Sequence, residues 1–294
     1  MRKFGDRKDG KLLKDIDSMH FIMPIIYPNR CDNEAFFKET IDLTNLLKYL
    51  EEKNKKDLPY KYHMFHAVVT AALKTITLRS KMNRFIANSN LYMRNKVTAA
   101  FTVKKEFDDE GAEVLCFLHT KPEYTIKEIH DEIYRQLKSM REENVNDAST
   151  DAMDTIQKIP RFISKNVVKF LCWMDKHGWV PQSLIETDPY YSSVVLANLG
   201  SIGLPAGYHH LTNWGTTGVF INIGKIGMKQ FINEDGTVEV KKGIDVGFII
   251  DERLADGFYY ARTIRLFKLL LEQPELLDKP LNEKLGEELW ERIK

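Results

Sequence analysis

Between Ile244 and Glu272 the chain passes from a nearly unbroken apolar run, Ile-Asp-Val-Gly-Phe-Ile-Ile-Asp, through Glu252-Arg253-Leu254-Ala255-Asp256-Gly257 and straight into an amphipathic segment beginning at Phe258. Such a run has the character of a buried strand, and Asp-Gly is turn chemistry. The amphipathic segment stops before Pro274, which has no amide hydrogen with which to continue a helix. A strand joined to a helix by so short a turn sends the helix back against its sheet. The chain must therefore build layered α/β structure.

The remaining pattern fits around that junction. Phe36 to Leu43 reads as a strand, followed by a helix from Asn45 to Lys53 capped by Asp42 or Thr44. Phe65, Val68 or Val69, Ala72 and Ile76 recur at helical spacing in His63 to Leu78. Strands are expected at Leu91 to Met93, Val97 to Lys104 and Glu113 to Leu118, the last two joined by Asp108-Asp109-Glu110-Gly111. Thr125 and Glu128 form a capping box for a helix to about Met140, and Asp17-Ser18 opens a short helix interrupted by Pro24. A polar connection, 142–154, leads to a helix from Pro160 to Lys176. Strand-like runs then follow at 193–198, 218–225, 229–232, 238–241 and 244–251, with Asn233-Glu234-Asp235-Gly236 as a hairpin turn. Helices and strands alternate irregularly, which implies a largely antiparallel or mixed sheet. No Gly-rich phosphate loop opens a helix after the first strand, against a dinucleotide fold.

Composition narrows the class. With 43% hydrophobic and 29% charged residues the chain is an ordinary soluble globular protein, and a net charge of +1 argues against bulk attraction to nucleic acid. Cys31, Cys116 and Cys172 are too scattered for a disulfide framework or a zinc site, and no apolar leader precedes Lys14. A cytoplasmic protein is expected. No linker or repeat divides it, so one domain spans 15–278, with a polar N-terminal segment 1–14 and a helical tail 279–294.

At the junction the spacing is Glu252-x-x-x-Asp256-Gly257, where two large families carry His-x-x-x-Asp-Gly between a strand and a helix. Asn198-Leu199-Gly200-Ser201-Ile202-Gly203 is similar to those families' Ser-Asn-Leu-Gly segment, and 218–225 to their glycine-rich apolar strand. Ile41-Asp42-Leu43-Thr44-Asn45-Leu46-Leu47 and the helix from His63 followed by Asn83-Arg84-Phe85 extend the likeness. On these residues the chain resembles the catalytic domain of the 2-oxoacid dehydrogenase acyltransferases and chloramphenicol acetyltransferase. The resemblance implies an α/β fold, a chloramphenicol acetyltransferase-like two-layer sandwich with a mixed β-sheet. It also implies a homotrimer whose active-site channel lies between subunits, with coenzyme A or acyl-coenzyme A as donor and no metal. The acceptor would be a small molecule or a lipoyl-type thiol, although no lipoyl domain is read in the sequence. In such enzymes the histidine takes a proton from the attacking thiol or hydroxyl, and a serine or threonine hydroxyl stabilises the oxyanion.

Two positions depart from that pattern: Glu252 stands for the histidine and Ala197 for the serine. Glu252 is either a base raised by a dry channel or an ion-pair partner that stiffens an interface. His209 and His210 are candidates for a compensating base, and Asn198 or Thr212 for a polar donor to the oxyanion. Asp256 and Gly257 match, and the resemblance makes them architectural, the aspartate through an ion pair. His63 and His66, three apart on a helix, read as packing or surface residues. The helix 161–176 carries Arg161, Lys165 and Lys169 in one stripe beside a wide apolar face. That face suits core or trimer packing, with an anionic membrane surface as the other reading. Two functions follow: an acyltransferase with a non-standard mechanism, or a catalytically inactive trimeric scaffold or binding protein.

Overall fold

Alternation along the strands decides which side of the sheet is filled. The computed structural model describes residues 3–104, 113–142 and 155–294. The expected turn at 108–111 and nearly all of the polar connection 142–154 lie outside them. The strands are β1 (Gly10–Leu12), β2 (Glu34–Asp42), β3 (Arg84–Ala87), β4 (Asn90–Arg94), β5 (Thr98–Lys104), β6 (Glu113–His119), β7 (Val194–Asn198), β8 (Val219–Ile223), β9 (Gly227–Ile232) and β10 (Val238–Asp251). The helices are α1 (Ser18–Ile26), α2 (Thr44–Lys53), α3 (Met64–Leu78), α4 (Ile126–Glu142), α5 (Arg161–Lys176), α6 (Gln182–Ile185), α7 (Gly257–Glu272) and α8 (Glu287–Arg292).

The main sheet has the order β2-β10-β8-β7-β5-β6, with β9 added to the first half of β10. β7 runs parallel to both β5 and β8, and the other pairs are antiparallel, so the sheet is mixed. Ile244, Val246, Phe248 and Ile250 of β10 share one face with Val194 and Leu196 of β7 and with alternate residues of β8. This face packs against α3 and α7 through Ala72, Leu73, Leu266 and Leu270. The opposite face carries a thinner cluster of Ala100, Val195, Phe220 and Ile249, covered by Leu211. A second sheet, β1-β4-β3, stands apart. The structure is therefore the mixed α/β architecture that the sequence pattern implies.

Caps follow the sequence closely. Asp17 accepts from the Met19 and His20 amides at 3.1 and 3.0 Å, and Asp42 from Thr44 N at 2.8 Å. Glu128 accepts from Thr125 N at 2.8 Å and Thr125 Oγ1 at 2.6 Å, closing the expected box. In the tail, Leu281, Leu285 and Ile293 are buried in the main core.

Three expectations change. The runs 238–241 and 244–251 are one strand, because β10 changes partners without breaking: its first half pairs with β9 and its second with β2 and β8. β1 and β3 carry no alternating signal, yet both are held by β4, and the β3–β4 turn puts Asn88 and Ser89 at φ +46° and +57°. The wide apolar face of α5 is not in the core of its own chain, and Asp175 is the helix's only buried residue. Asp175 is anchored from the N-terminal segment by Arg7, 3.1 Å away, and by the Tyr191 hydroxyl at 2.8 Å. A polar anchor is joined to a small apolar seat, where Met174 packs on Val180, Ile185 and Tyr191.

The segment before Leu211 crosses the outer face as a strap. Asn222 Nδ2 donates to the Gly207 carbonyl at 3.1 Å, and that carbonyl lies directly over Gly247 of β10. A methyl at 247 would collide with it. Gly247→Ala is expected to cost about 1–3 kcal/mol in urea unfolding. Gly227→Ala, with nothing within 4 Å of the added carbon, should leave the midpoint unchanged or slightly raised.

Candidate functional site

The junction predicted from sequence is built on one buried carboxylate. Asp251 ends β10 opposite Glu34, is fully buried, and accepts from Arg253 Nε at 2.8 Å and Nη2 at 2.6 Å. Arg253, itself buried, donates Nη1 to the Tyr27 carbonyl at 2.7 Å, tying the turn to the end of α1. Arg30 Nε lies 3.8 Å from the same carboxylate, and its Nη2 donates to the carbonyls of Ile86 and Gly215 at 3.1 and 3.0 Å. Burial pushes the Arg30 guanidinium below its ordinary value, and the Asp251 charge opposes that shift. The Tyr260 hydroxyl donates to the Asp251 carbonyl and accepts from Ala255 N, at 3.1 and 3.0 Å. Strand end, turn and first helical turn are thus locked together.

Glu252 sits in the middle of this frame and takes no part in it. Its amide donates to the Asn33 carbonyl at 2.9 Å, but its side chain is exposed. Among the described residues the carboxylate has no hydrogen bond or ion pair. The ion pair expected of it is made by its two neighbours, Asp251 and Arg253. In the single chain it stands in water, outside any dry channel.

Asp256 also differs from what the resemblance implies. It makes no ion pair among the described residues. It is the N-cap of α7, accepting from Tyr259 N at 2.9 Å, and that amide bond holds its carboxyl below the usual range. The loop-holding pair belongs to Asp251 because that carboxylate is buried and Asp256's is not. Gly257 opens the helix with nothing within 4 Å of a would-be Cβ.

The other candidates are dispersed. Ala197 lies opposite Asn222 on the outer face, whereas Asn198 is on the helix side at the end of β7, its buried Oδ1 without a hydrogen-bond partner among the described residues. Asn198 pairs with Ile223, and Ile223 with Val246. Five residues of β10, 247–251, then separate Val246 from Glu252, roughly 20 Å at strand rise. His209 and His210 are exposed on the strap. The His209 ring stacks on Phe220 at 4.6 Å and its Nδ1 meets the His210 carbonyl at 3.0 Å. The strap ends with Leu211 N donating to Glu34, so it leaves the sheet beside the junction. The Thr212 hydroxyl is occupied locally, accepting from Trp214 N at 2.9 Å and donating to its carbonyl at 3.1 Å. One chain therefore does not bring Glu252 and Asn198 together.

His63 and His66 belong to a different place. His66 Nδ1 accepts from His63 N at 2.9 Å, capping α3. His66 is buried against Tyr60, Tyr62 and His130. That burial, with the neighbouring His130 and His63, pushes it down to about 3.

Arg30 and Arg253 are the residues that sequence reasoning passed over. For Arg253 the available signal was a charged residue directly after an apolar strand, since a buried cation must find a partner; the polar run 28–33 around Arg30 offered none. Beside them lies a cavity of about 310 Å³ lined by Arg30, Arg253, Lys176, Cys172, Asn88 and Trp214.

No protein-family model matches the chain. No curated protein matches it in sequence either. Solved structures do match in shape. A probable dihydrolipoamide acetyltransferase from Listeria monocytogenes is similar at TM-score 0.58 and 15% identity, over 90% of this chain and 95% of that one. The cubic core of a pyruvate dehydrogenase multienzyme complex gives 0.60 and 13%, over 90% and 93%. A chloramphenicol acetyltransferase gives 0.50 and 11%, over 92% and 100%. The chain thus has the fold shared by 2-oxoacid dehydrogenase acyltransferase cores and chloramphenicol acetyltransferase.

Two outcomes test this description. Arg253→Ala removes the hydrogen-bonded partner of the buried Asp251 carboxylate and leaves it only the longer 3.8 Å contact to Arg30, which should cost about 3 kcal/mol in urea unfolding. Glu252→Ala should stay within about 0.5 kcal/mol of the parent. For His66, the unfolded residue takes up its proton near the ordinary value of 6.5, while the folded one stays neutral down to about 3. The unfolded state then binds more protons in that window, so stability present above pH 6.5 is lost as pH falls through it. Urea midpoints measured from pH 7 to 4 should drop, and His66→Gln should flatten the dependence.

Proposed function

We propose that the chain is an acyltransferase-type protein that moves an acyl group from coenzyme A, or a related thioester, to a small acceptor. Its site would be completed between copies of the chain in a homotrimer. The observation that carries this reading is the free carboxylate of Glu252, held on a rigid buried frame where the families of the same fold place their base. Among the described residues, no hydrogen bond or ion pair ties that carboxylate to a structural task.

In this reading Glu252 accepts the proton of an acceptor thiol or hydroxyl as its sulfur or oxygen attacks the thioester carbonyl. The carbon–sulfur bond of the donor breaks as the tetrahedral carbon collapses, and the proton passes to the leaving thiolate. Ala197 offers no hydroxyl to the developing oxyanion. The amide of Asn198 from a neighbouring copy is the nearest substitute by position. His209 and His210, on the strap beside the junction, are the alternative source of an imidazole base. A lipoyl-type thiol is one acceptor of suitable chemistry, and the setting proposed is the cytoplasm.

Within one chain the cationic cavity is a poor phosphate cradle. The guanidinium of Arg253 is engaged with Asp251 and Tyr27, and Arg30 donates to three backbone carbonyls. That leaves Lys176 as the lining cation with no hydrogen bond or ion pair among the described residues. Coenzyme A is therefore proposed to bind across the interface between copies, and no step is routed through this cavity.

The second reading, an inactive trimeric scaffold or binding protein, is favoured by Ala197 and by the water-exposed position of Glu252. The two separate cleanly. On the first, millimolar acetyl-coenzyme A raises the melting temperature by a few degrees. Acyl transfer to a thiol acceptor is then detected, and Glu252→Gln lowers it by about 10²-fold or more without changing the melting temperature. Absence of both the thermal shift and turnover rules the first reading out.

A further inference from the structure

Among the described residues, α5 shows an exposed surface that carries no acid and has four cations along one side. α5 divides its circumference into three faces, given 3.6 residues per turn. Val167, Leu171 and Met174 are half-buried toward the body of the protein, with Asp175 fully buried among them. Next around the helix come Arg161, Lys165, Lys169 and Lys176, all exposed. Beyond these lie Phe162, Phe170 and Trp173, which are 70%, 57% and 44% exposed, together with Ile163. Trp179, just past the helix end, extends the aromatic face, its ring 5.0 Å from that of Trp173.

From this arrangement we propose that α5 is a membrane-surface anchor, lying flat on a bilayer that contains anionic phospholipid. The aromatic face would enter the headgroup boundary and the adjacent stripe of cations would meet the lipid phosphates. Charge selects this occupant. The only acidic residue of α5, Asp175, is sequestered with Arg7 and Tyr191, so nothing on the exposed sides opposes an anionic plane. Tryptophan suits the boundary because its ring is apolar while its N–H still finds a hydrogen-bond partner there. The helix has 16 residues, with lysines throughout, and lies on a bilayer rather than crossing one. Its tie to Arg7 fixes the rest of the protein relative to the surface. Because the formal net charge is only +1, adsorption would be local to this helix. The inference is independent of any acyl-transfer chemistry.

Vesicle flotation tests it, using vesicles of phosphatidylcholine with about one-third phosphatidylglycerol against pure phosphatidylcholine, at low and at physiological salt. The expected result is binding to the anionic vesicles, weakened by salt, with a blue shift of tryptophan emission. Lys165→Glu with Lys169→Glu should reduce binding by tenfold or more, on the order expected for reversing two surface cations. Phe170→Asp should abolish the blue shift. Lys48→Glu, an exposed reversal on α2, should leave both unchanged. Far-UV circular dichroism checks that each variant is folded. Failure of the parent protein to float with anionic vesicles at low salt overturns the proposal. So does a Phe170→Asp variant that floats normally but loses its oligomeric state in sedimentation velocity, because α5 would then be a contact between subunits.

Discussion

The carboxylate of Asp251, with no solvent exposure and two guanidinium groups around it, is the interaction on which the junction depends. A charge taken that far from water is tolerable only when paired and hydrogen-bonded; here Arg253 supplies the hydrogen bonds and Arg30 a second positive charge from a different place in the fold. Arg253 belongs to the turn itself and reaches the end of α1 through Tyr27. Arg30 precedes β2 and spends its remaining donors on β3 and on the loop after the strap. Removing the carboxylate would leave two buried cations and unseat four segments at once. The arrangement is costly to assemble and, once assembled, tolerates little displacement.

That rigidity explains how Glu252 can be positioned without being held by its own side chain. Its backbone is fixed by Asn33, and the residues on either side are saturated with one another. The free carboxylate is therefore a consequence of the frame. The same frame places it at the opposite end of the sheet from Asn198, and strand register makes that separation unavoidable within one chain. A site that uses both needs a second copy. The imidazoles of His209 and His210 face a different constraint, since the strap that carries them can lie on the sheet only where Gly247 offers no side chain.

Local chemistry was legible in the sequence wherever the cause was local. Asp17, Asp42 and Glu128 are next to the amides they cap, and the apolar alternation of β7, β8 and β10 gives the sheet its faces directly. What was not legible depended on distant partners. β1 and β3 are strands because β4 is beside them, and nothing in Gly-Lys-Leu announces that. Arg30 finds its acceptors almost two hundred positions away. The role given to Asp256 fell to Asp251 for the same reason, because burial and not sequence position decides which of two nearby carboxylates needs a counter-ion. For α5, a wide apolar face suggested a core position, but the helix is seated mainly through Asp175 with Arg7 and Tyr191, and through Met174 on a small apolar cluster.

Whether Glu252 can serve as a base reduces to how much water reaches it. A carboxyl near ~4.3 facing a thiol near ~8.5 confronts about four pK units, close to 6 kcal/mol against the transfer. Drying the site enough to lift the carboxyl toward ~6–7 halves that deficit, to about 3 kcal/mol. Enzymes lower barriers by about 8–23 kcal/mol, so the smaller deficit is readily absorbed and the larger one consumes much of the available gain. The frame supplies position but cannot supply dryness, because in the single chain the carboxylate points into solvent. On the proposed reading that dryness comes from a surface of another copy, with Asn198 or a strap imidazole arriving on it. On that reading, assembly and acid–base competence become one requirement.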